Sequence, residues 1–204
     1  MKLFYFLMLM QILPSGLKGR NLDPPLLSMI KQANNTCVVY DFEDNRIRTG
    51  KPGWSDKERG IVLQALNMHG FTYNGAKDTL LIYMSYVDYL VPAYPVYIGA
   101  YSSCGELHLK SGEGGDYEEY DSSHALKDNI PDLIYSNNMD AFKAIFDKYH
   151  DNGFGSAPNH VLRMEVLDNK LVSFSEWIFE IDYISYSWDL LSKTRGTQNE
   201  GEDN

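Results

Sequence analysis

The clearest pattern of apolar and polar positions lies between residues 55 and 70, and it predicts a helix. Ser55 and Glu58 have the spacing of a capping box, in which each side chain accepts a hydrogen bond from the other residue's backbone. Gly70 is a typical residue at a helix end. Apolar side chains recur at helical spacing, and they are Ile61, Val62, Ala65, Leu66 and Met68.

Two further segments have helical features. Residues 24–33 begin with two prolines, which the first helical turn tolerates because its N–H groups have no partner within the helix. Residues 137–153 offer Asn138 as a cap and Gly153 as an end. One face of this second segment would carry Phe142, Ile145, Phe146 and Tyr149.

Segments rich in β-branched and aromatic side chains predict the strands. Asp168 and Asn169 separate two of them and fit the two-residue turn of a hairpin. Because helices and strands do not alternate regularly, we predict an α+β fold with an antiparallel sheet packed against two or three helices and a single disulfide. The predicted strands are residues 37–42, 79–91, 94–103, 105–110, 160–167 and 170–183.

The first residues predict a targeting signal. A basic Lys2 precedes an apolar run at 3–13, and Pro14 with small residues follows, which is the three-part pattern of a signal peptide. The run is shorter than the roughly 20 apolar residues of a membrane-spanning helix, although an uncleaved anchor is the alternative. We therefore predict a secreted or periplasmic protein. Its parts would be a signal peptide at 1–19, one α+β domain at 20–192 and a disordered acidic tail at 193–204.

The formal net charge of −10 argues against two classes of partner. Nucleic-acid binding needs clustered Lys and Arg to contact phosphates, and an acidic membrane surface attracts basic segments for the same reason. We therefore expect neither nucleic acid nor, once the signal is cleaved, a membrane as a partner. An extracellular protein or a small ligand is the expected partner.

The two cysteines, Cys37 and Cys104, predict a disulfide, since an even pair in an oxidising compartment usually forms a bridge. Two buried free thiols are the alternative. Asn34 begins an Asn-x-Thr sequon and would be glycosylated in a eukaryotic secretory pathway.

Known catalytic motifs are mostly absent from the sequence. Residues 38–66 resemble the opening strand and first helix of the metzincin proteases, which bind zinc through a His-Glu-x-x-His helix. The chain lacks that motif, so the resemblance implies no protease activity. We also find no nucleophile elbow and no glycine-rich phosphate loop. We therefore predict no catalytic residue from a motif, no metal and no cofactor. The five histidines are His69, His108, His124, His150 and His160.

Residues 111–124 combine glycines with five carboxylates, and three interpretations remain open. Calcium binds several carboxylates in one loop, but the spacing matches no EF-hand. A solvated acidic loop is the favoured interpretation. A docking surface for a basic partner would use Asp116, Glu118 and Glu119. The five carboxylates are Glu113, Asp116, Glu118, Glu119 and Asp121.

The chain has 15 tyrosines, several of them in the predicted central strands. Exposed tyrosines such as Tyr94 and Tyr97 would suit a ligand or partner surface, because the ring supplies contact area at small entropic cost. Ordinary strand composition is the alternative. We therefore predict an acidic binding or inhibitory protein. The alternative is a hydrolase using a His/carboxylate site at His150, His160 and Glu165, and a third hypothesis is a calcium-stabilised structural domain.

Overall fold

The computed structural model describes residues 20–21, 25–33, 36–85, 97–112, 116–120, 129–150, 159–182, 185–186 and 189. Several sequence predictions lie outside these residues: the signal peptide at 1–19, the tail at 193–204, the sequon at Asn34 and the surface residue Tyr94. No helix among the described residues has the length and apolar character needed to cross a membrane.

The described residues form ten strands and four helices. The strands are β1 (Arg20–Asn21), β2 (Cys37–Asp41), β3 (Arg46–Gly50), β4 (Thr72–Tyr73), β5 (Lys77–Ser85), β6 (Tyr97–Ser102), β7 (Gly105–Ser111), β8 (Tyr117–Glu119), β9 (Asn159–Leu167) and β10 (Lys170–Phe179). The helices are α1 (Pro25–Ala33), α2 (Asp56–Met68), α3 (Ile130–Tyr135) and α4 (Met139–Tyr149).

Eight of the strands form one mixed sheet in the order β3-β2-β10-β9-β5-β6-β7-β8. Neighbouring strands are antiparallel except for β2 and β10, which run parallel with Val39 opposite Glu176. Strands β1 and β4 form a separate antiparallel pair.

The predicted fold class is wrong in its sheet, its helix count and its disulfide. The protein is mostly sheet, the sheet is mixed rather than antiparallel, and four short helices accompany it among the described residues. The composition of a strand does not encode the direction of its partner, and the parallel pair joins segments far apart in the sequence. Helix α3, which the sequence did not predict, has six residues and begins with Ile130 and Pro131.

Both faces of the sheet are buried, because successive side chains along a strand point to opposite faces. Strand β5 shows this alternation: Leu80, Ile82 and Met84 belong to one core, whereas Leu81 and Tyr83 belong to the other. Helices α1 and α2 cover the first face, and α3 and α4 cover the second. Burial on both faces explains why the central strands are nearly continuous apolar runs.

Two local predictions are confirmed in detail. The Ser55 side chain accepts a bond from the Glu58 backbone N–H (3.2 Å), and Glu58 Oε2 accepts one from the Ser55 N–H (2.7 Å). Asp168 and Asn169 adopt positive φ values of 48° and 59°, the geometry of a tight turn between β9 and β10.

The predicted disulfide between Cys37 and Cys104 is absent, and both thiols are free. Cys37 is buried at the start of β2, whereas Cys104 is exposed in the turn between β6 and β7. Four inter-strand steps of about 4.8 Å separate β2 from β6, which gives roughly 19 Å. Bridged cysteines need Cα atoms within about 7 Å of each other.

We expect the two thiols to react very differently with an aqueous thiol reagent. Cys104 should react in the native protein, whereas burial raises the pKa of the Cys37 thiol to about 12 and keeps it protonated at pH 8. Titration of native protein should therefore find one thiol, and titration after unfolding without reductant should find two. If the unfolded protein had no free thiol and still ran as a monomer on a non-reducing gel, the two cysteines would be bridged within one chain. That result would contradict the separation of Cys37 and Cys104.

Candidate functional site

A fully buried carboxylate lies on the first face of the sheet, beside the start of α2. Glu176 of β10 is 0% exposed, and its Oε1 lies 3.0 Å from Nδ1 of His160 on β9. Its Oε2 accepts a bond from the Gly53 backbone N–H at 2.5 Å. The carboxylate therefore holds a half-buried histidine and also fixes the loop that leads into α2.

A carboxylate bonded to Nδ1 orients an imidazole and leaves Nε2 as the acceptor, which suits proton transfer at neutral pH. His160 is 22% exposed, so solvent reaches its ring. The described residues contain no group of three or more His, Cys, Asp or Glu side chains that could hold a metal ion. In this pair His160 is therefore a base whose ring Glu176 orients.

Cys37 lies close enough to the Glu176 carboxylate for that charge to affect the pKa of its thiol. The thiol is nevertheless a poor nucleophile. Burial is the main cause that raises the pKa of its thiol to about 12, and the Glu176 carboxylate adds to the effect. The cations of Arg48 and Arg59 oppose the shift only in part. Because the thiolate is the reactive form, a thiol with this pKa is inert at neutral pH.

The structure does not bring together the predicted hydrolase set of His150, His160 and Glu165. His150 binds Glu43 instead, with 2.8 Å between Nε2 and Oε2, and its ring packs against Phe146 of the second core. Glu165 binds Arg163 at 2.6 Å. By strand alternation His160 and Glu165 point to opposite faces of the sheet, so they cannot act on one substrate atom.

The described tyrosines of the central strands lie largely in the interior. Tyr97 is 8% exposed, its ring centroid lies 5.3 Å from that of Tyr120, and the hydroxyl groups of Tyr83 and Tyr120 are 3.1 Å apart. Gly99 makes room for the Tyr83 ring, since a Cβ there would lie 1.8 Å from a ring carbon. The neighbouring His108 is also buried, and burial lowers its pKa even though Glu106 opposes the shift. Tyr97 therefore offers little surface to a partner.

The acidic residues Asp116, Glu118 and Glu119 are exposed, as a docking surface requires. Glu119 lies 3.6 Å from the Nδ1 of His69, a contact that depends on histidine protonation. Glu113 and Asp121 lie outside the described residues. The favoured interpretation as a solvated loop stays a prediction, and the docking and calcium alternatives stay open.

The structure shows a cleft that the sequence did not predict, between α4 and the β2–β3 hairpin. Its volume is about 350 Å³, within the range of small-molecule sites. Phe42 forms part of its wall and packs on Phe142 and Phe146, with ring centroids 4.7 and 5.4 Å apart. The lining residues are Tyr40, Asp41, Phe42, Asn45, Arg46, Ile47, Met139, Lys143, Phe146 and Asp147.

The cationic side chains at the rim of the cleft form ion pairs with carboxylates, so the positive and negative charges there largely cancel. Lys143 binds Asp147 at 2.8 Å, and Arg46 binds Asp44 and lies 3.8 Å from Asp41. Ile47, in contrast, is 73% exposed although it is a large apolar side chain. The cleft therefore offers apolar surface without a dominant charge.

Sequence reasoning missed this cleft because two distant segments build it. Tyr40 and Phe42 were predicted to lie in a strand, but nothing local shows that α4 packs beside them. Ile47 lies outside the predicted strands, and Gly50 and Pro52, which are typical of loops, follow it. The alternation of Arg46, Ile47 and Arg48 was the available strand signal.

Comparison with known proteins finds no matching family model, no matching curated protein and no matching solved structure.

The contact between Gly53 and Glu176 can be tested with a matched pair of glycine substitutions. In Gly53→Ala the new Cβ would lie 3.1 Å from Glu176 Oε1 and 3.3 Å from the His160 ring, so overpacking should reduce the free energy of unfolding by about 1–3 kcal/mol. In Gly60→Ala, inside α2, the Cβ meets nothing within 4 Å, and stability should rise by roughly 0.5–1 kcal/mol. Chemical denaturation measures both, and equal changes would contradict the observed geometry.

Proposed function

We propose that this protein is a binding protein whose ligand places an uncharged apolar group in the cleft between α4 and the β2–β3 hairpin. The cleft itself carries the proposal. It combines a volume of about 350 Å³ with an aromatic wall and an exposed isoleucine at its edge. Sites for small ligands are typically apolar concavities with a few polar groups that set orientation.

The side chains around the cleft favour binding over catalysis. The described residues that line it include no Ser, Thr, Cys or His, and its acidic and basic side chains Asp41, Lys143 and Asp147 are engaged in ion pairs. Its cations form ion pairs with carboxylates, so a charged ligand would have to displace an existing contact. An apolar ligand would gain the hydrophobic contribution of the Phe42 and Phe146 surface without that loss.

An extracellular or periplasmic setting is part of the proposal. It is supported by the basic start and the apolar run of residues 3–13, which have the pattern of a signal peptide.

A second candidate function is acid–base catalysis by His160. The observation that favours it is the 3.0 Å contact with the buried Glu176, which orients the imidazole. It ranks below binding because the nearby Cys37 thiol stays protonated and cannot serve as a nucleophile beside the imidazole.

Binding of a neutral apolar fluorophore such as N-phenyl-1-naphthylamine tests the cleft. Ile47→Asp should raise its Kd about tenfold, equivalent to about 1.4 kcal/mol, because a carboxylate would have to lose water beside the ligand. The exposed position of Ile47 predicts that the variant still folds. A fluorescence titration measures the Kd.

Val172→Asp is the matched control. Val172 is also β-branched and 56% exposed, but it lies on β10 and does not line the cleft. Its Kd should equal that of the unmodified protein. Equal weakening by both substitutions, or no weakening by Ile47→Asp, would contradict the proposed site.

A further inference from the structure

Among the described residues, strand β3 is an edge strand whose outer side is not paired with another strand. In the described sheet it pairs with β2 alone, and every residue from 46 to 49 has an exposed side chain. An edge strand presents unpaired backbone N–H and C=O groups to another chain. The strand therefore has the geometry for adding one more strand.

The two faces of β3 differ in chemistry. Arg48 lies opposite Val39 of the first core, so its side chain lies on the first face of the sheet. Ile47 lies opposite Tyr40 and therefore on the second face, where it borders the cleft. A strand added beside β3 would meet a cation on one face and the apolar cleft on the other.

Arg48 is an exposed cation on this edge. Its Nη1 donates to the Lys51 carbonyl oxygen at 2.8 Å, and no described carboxylate forms an ion pair with it. Arg46 is already engaged with Asp44 and Asp41. Lys51 is exposed just beyond the strand, so this edge is locally basic in a protein whose net charge is −10.

We propose that β3 binds an extended segment of a partner protein as an added strand, and that this segment alternates carboxylate and apolar side chains. The carboxylates would lie beside Arg48, and the apolar side chains would enter the cleft. Backbone hydrogen bonds would supply affinity, and the alternating side chains would supply specificity. This inference rests on the proposed function of the cleft and names its ligand class.

A second copy of this chain fits the edge poorly. Pairing two β3 strands would bring two basic edges together, and like charges on neighbouring strands repel. The acidic edge strand β8 has three residues, and Glu118 and Glu119 point to opposite faces. A separate partner with carboxylates on one face matches the edge better.

Three labelled peptides with blocked ends test the inference by fluorescence anisotropy. The peptide ELELELE should bind, whereas its rearrangement EELLLEE and the basic peptide KLKLKLK should bind at least about tenfold more weakly. Added salt should weaken the binding of ELELELE because exposed charges contribute to it. Equal binding of ELELELE and EELLLEE would overturn the proposed strand geometry.

Backbone methylation of the peptide tests strand addition directly. Along an added strand only alternate amides face the neighbouring strand. Of two ELELELE derivatives, one N-methylated at the leucines and one at the glutamates, one should lose binding and the other should keep it. Equal behaviour of the two derivatives would overturn the inference.

Arg48→Glu should weaken ELELELE binding about fivefold, since an attraction becomes a repulsion. Lys170→Glu is the matched control, because Lys170 is exposed on β10 and the net charge changes equally. Its affinity for the peptide should not change. Equal weakening by both substitutions would show a general charge effect and overturn the inference.

The neutral fluorophore and the oligomeric state separate the remaining outcomes. Arg48 does not line the cleft, so Arg48→Glu should bind N-phenyl-1-naphthylamine like the unmodified protein. If the unmodified protein binds the fluorophore but not the peptide, this inference alone is overturned. If the unmodified protein binds neither, the proposed function is overturned as well. Sedimentation that finds oligomers dissociated by Arg48→Glu would identify a second copy as the occupant and overturn the inference.

Discussion

The parallel pairing of β2 with β10 is the contact on which the arrangement of the candidate groups depends. It places Val39 beside Glu176, and so brings the buried carboxylate next to Cys37. It also fixes the β2–β3 hairpin at one edge of the sheet. The cleft beside α4 and the open edge of β3 both follow from that placement. Strand β10 is in turn held by its long antiparallel pairing with β9.

Features set by neighbouring residues were predictable from the sequence, whereas features set by distant pairing were not. The capping box needs Ser55 and Glu58 alone, and the hairpin turn needs Asp168 and Asn169, so short-range rules suffice. The missing disulfide depends on strand order, which places Cys37 and Cys104 four steps apart. Their even number and the signal-like start indicated a disulfide bridge, but neither observation reveals the order of the strands in the sheet.

The chemistry of the candidate site was not predictable from the sequence, because it depends on which face of the sheet each side chain occupies. His160 was singled out from the sequence, but its carboxylate partner is Glu176, 16 positions away along the chain, rather than Glu165. Tyr97 was predicted to be exposed, although the sheet is covered on both faces. Ile47 was overlooked because a glycine and a proline follow it, while its alternation with two arginines indicated a strand.

The parallel pair also has a consequence for the order in which the chain folds. The β2–β3 hairpin is complete early in synthesis, but the inner edge of β2 has no partner until the β9–β10 hairpin emerges. Gly53 and Glu176, which join these two parts, are 123 positions apart. Contacts of such separation form late, because closing a long loop costs entropy before any bond is gained. For most of translation the nascent chain therefore carries a β2–β3 hairpin with one edge unpaired, and β9 and β10, the last of the described strands, complete it.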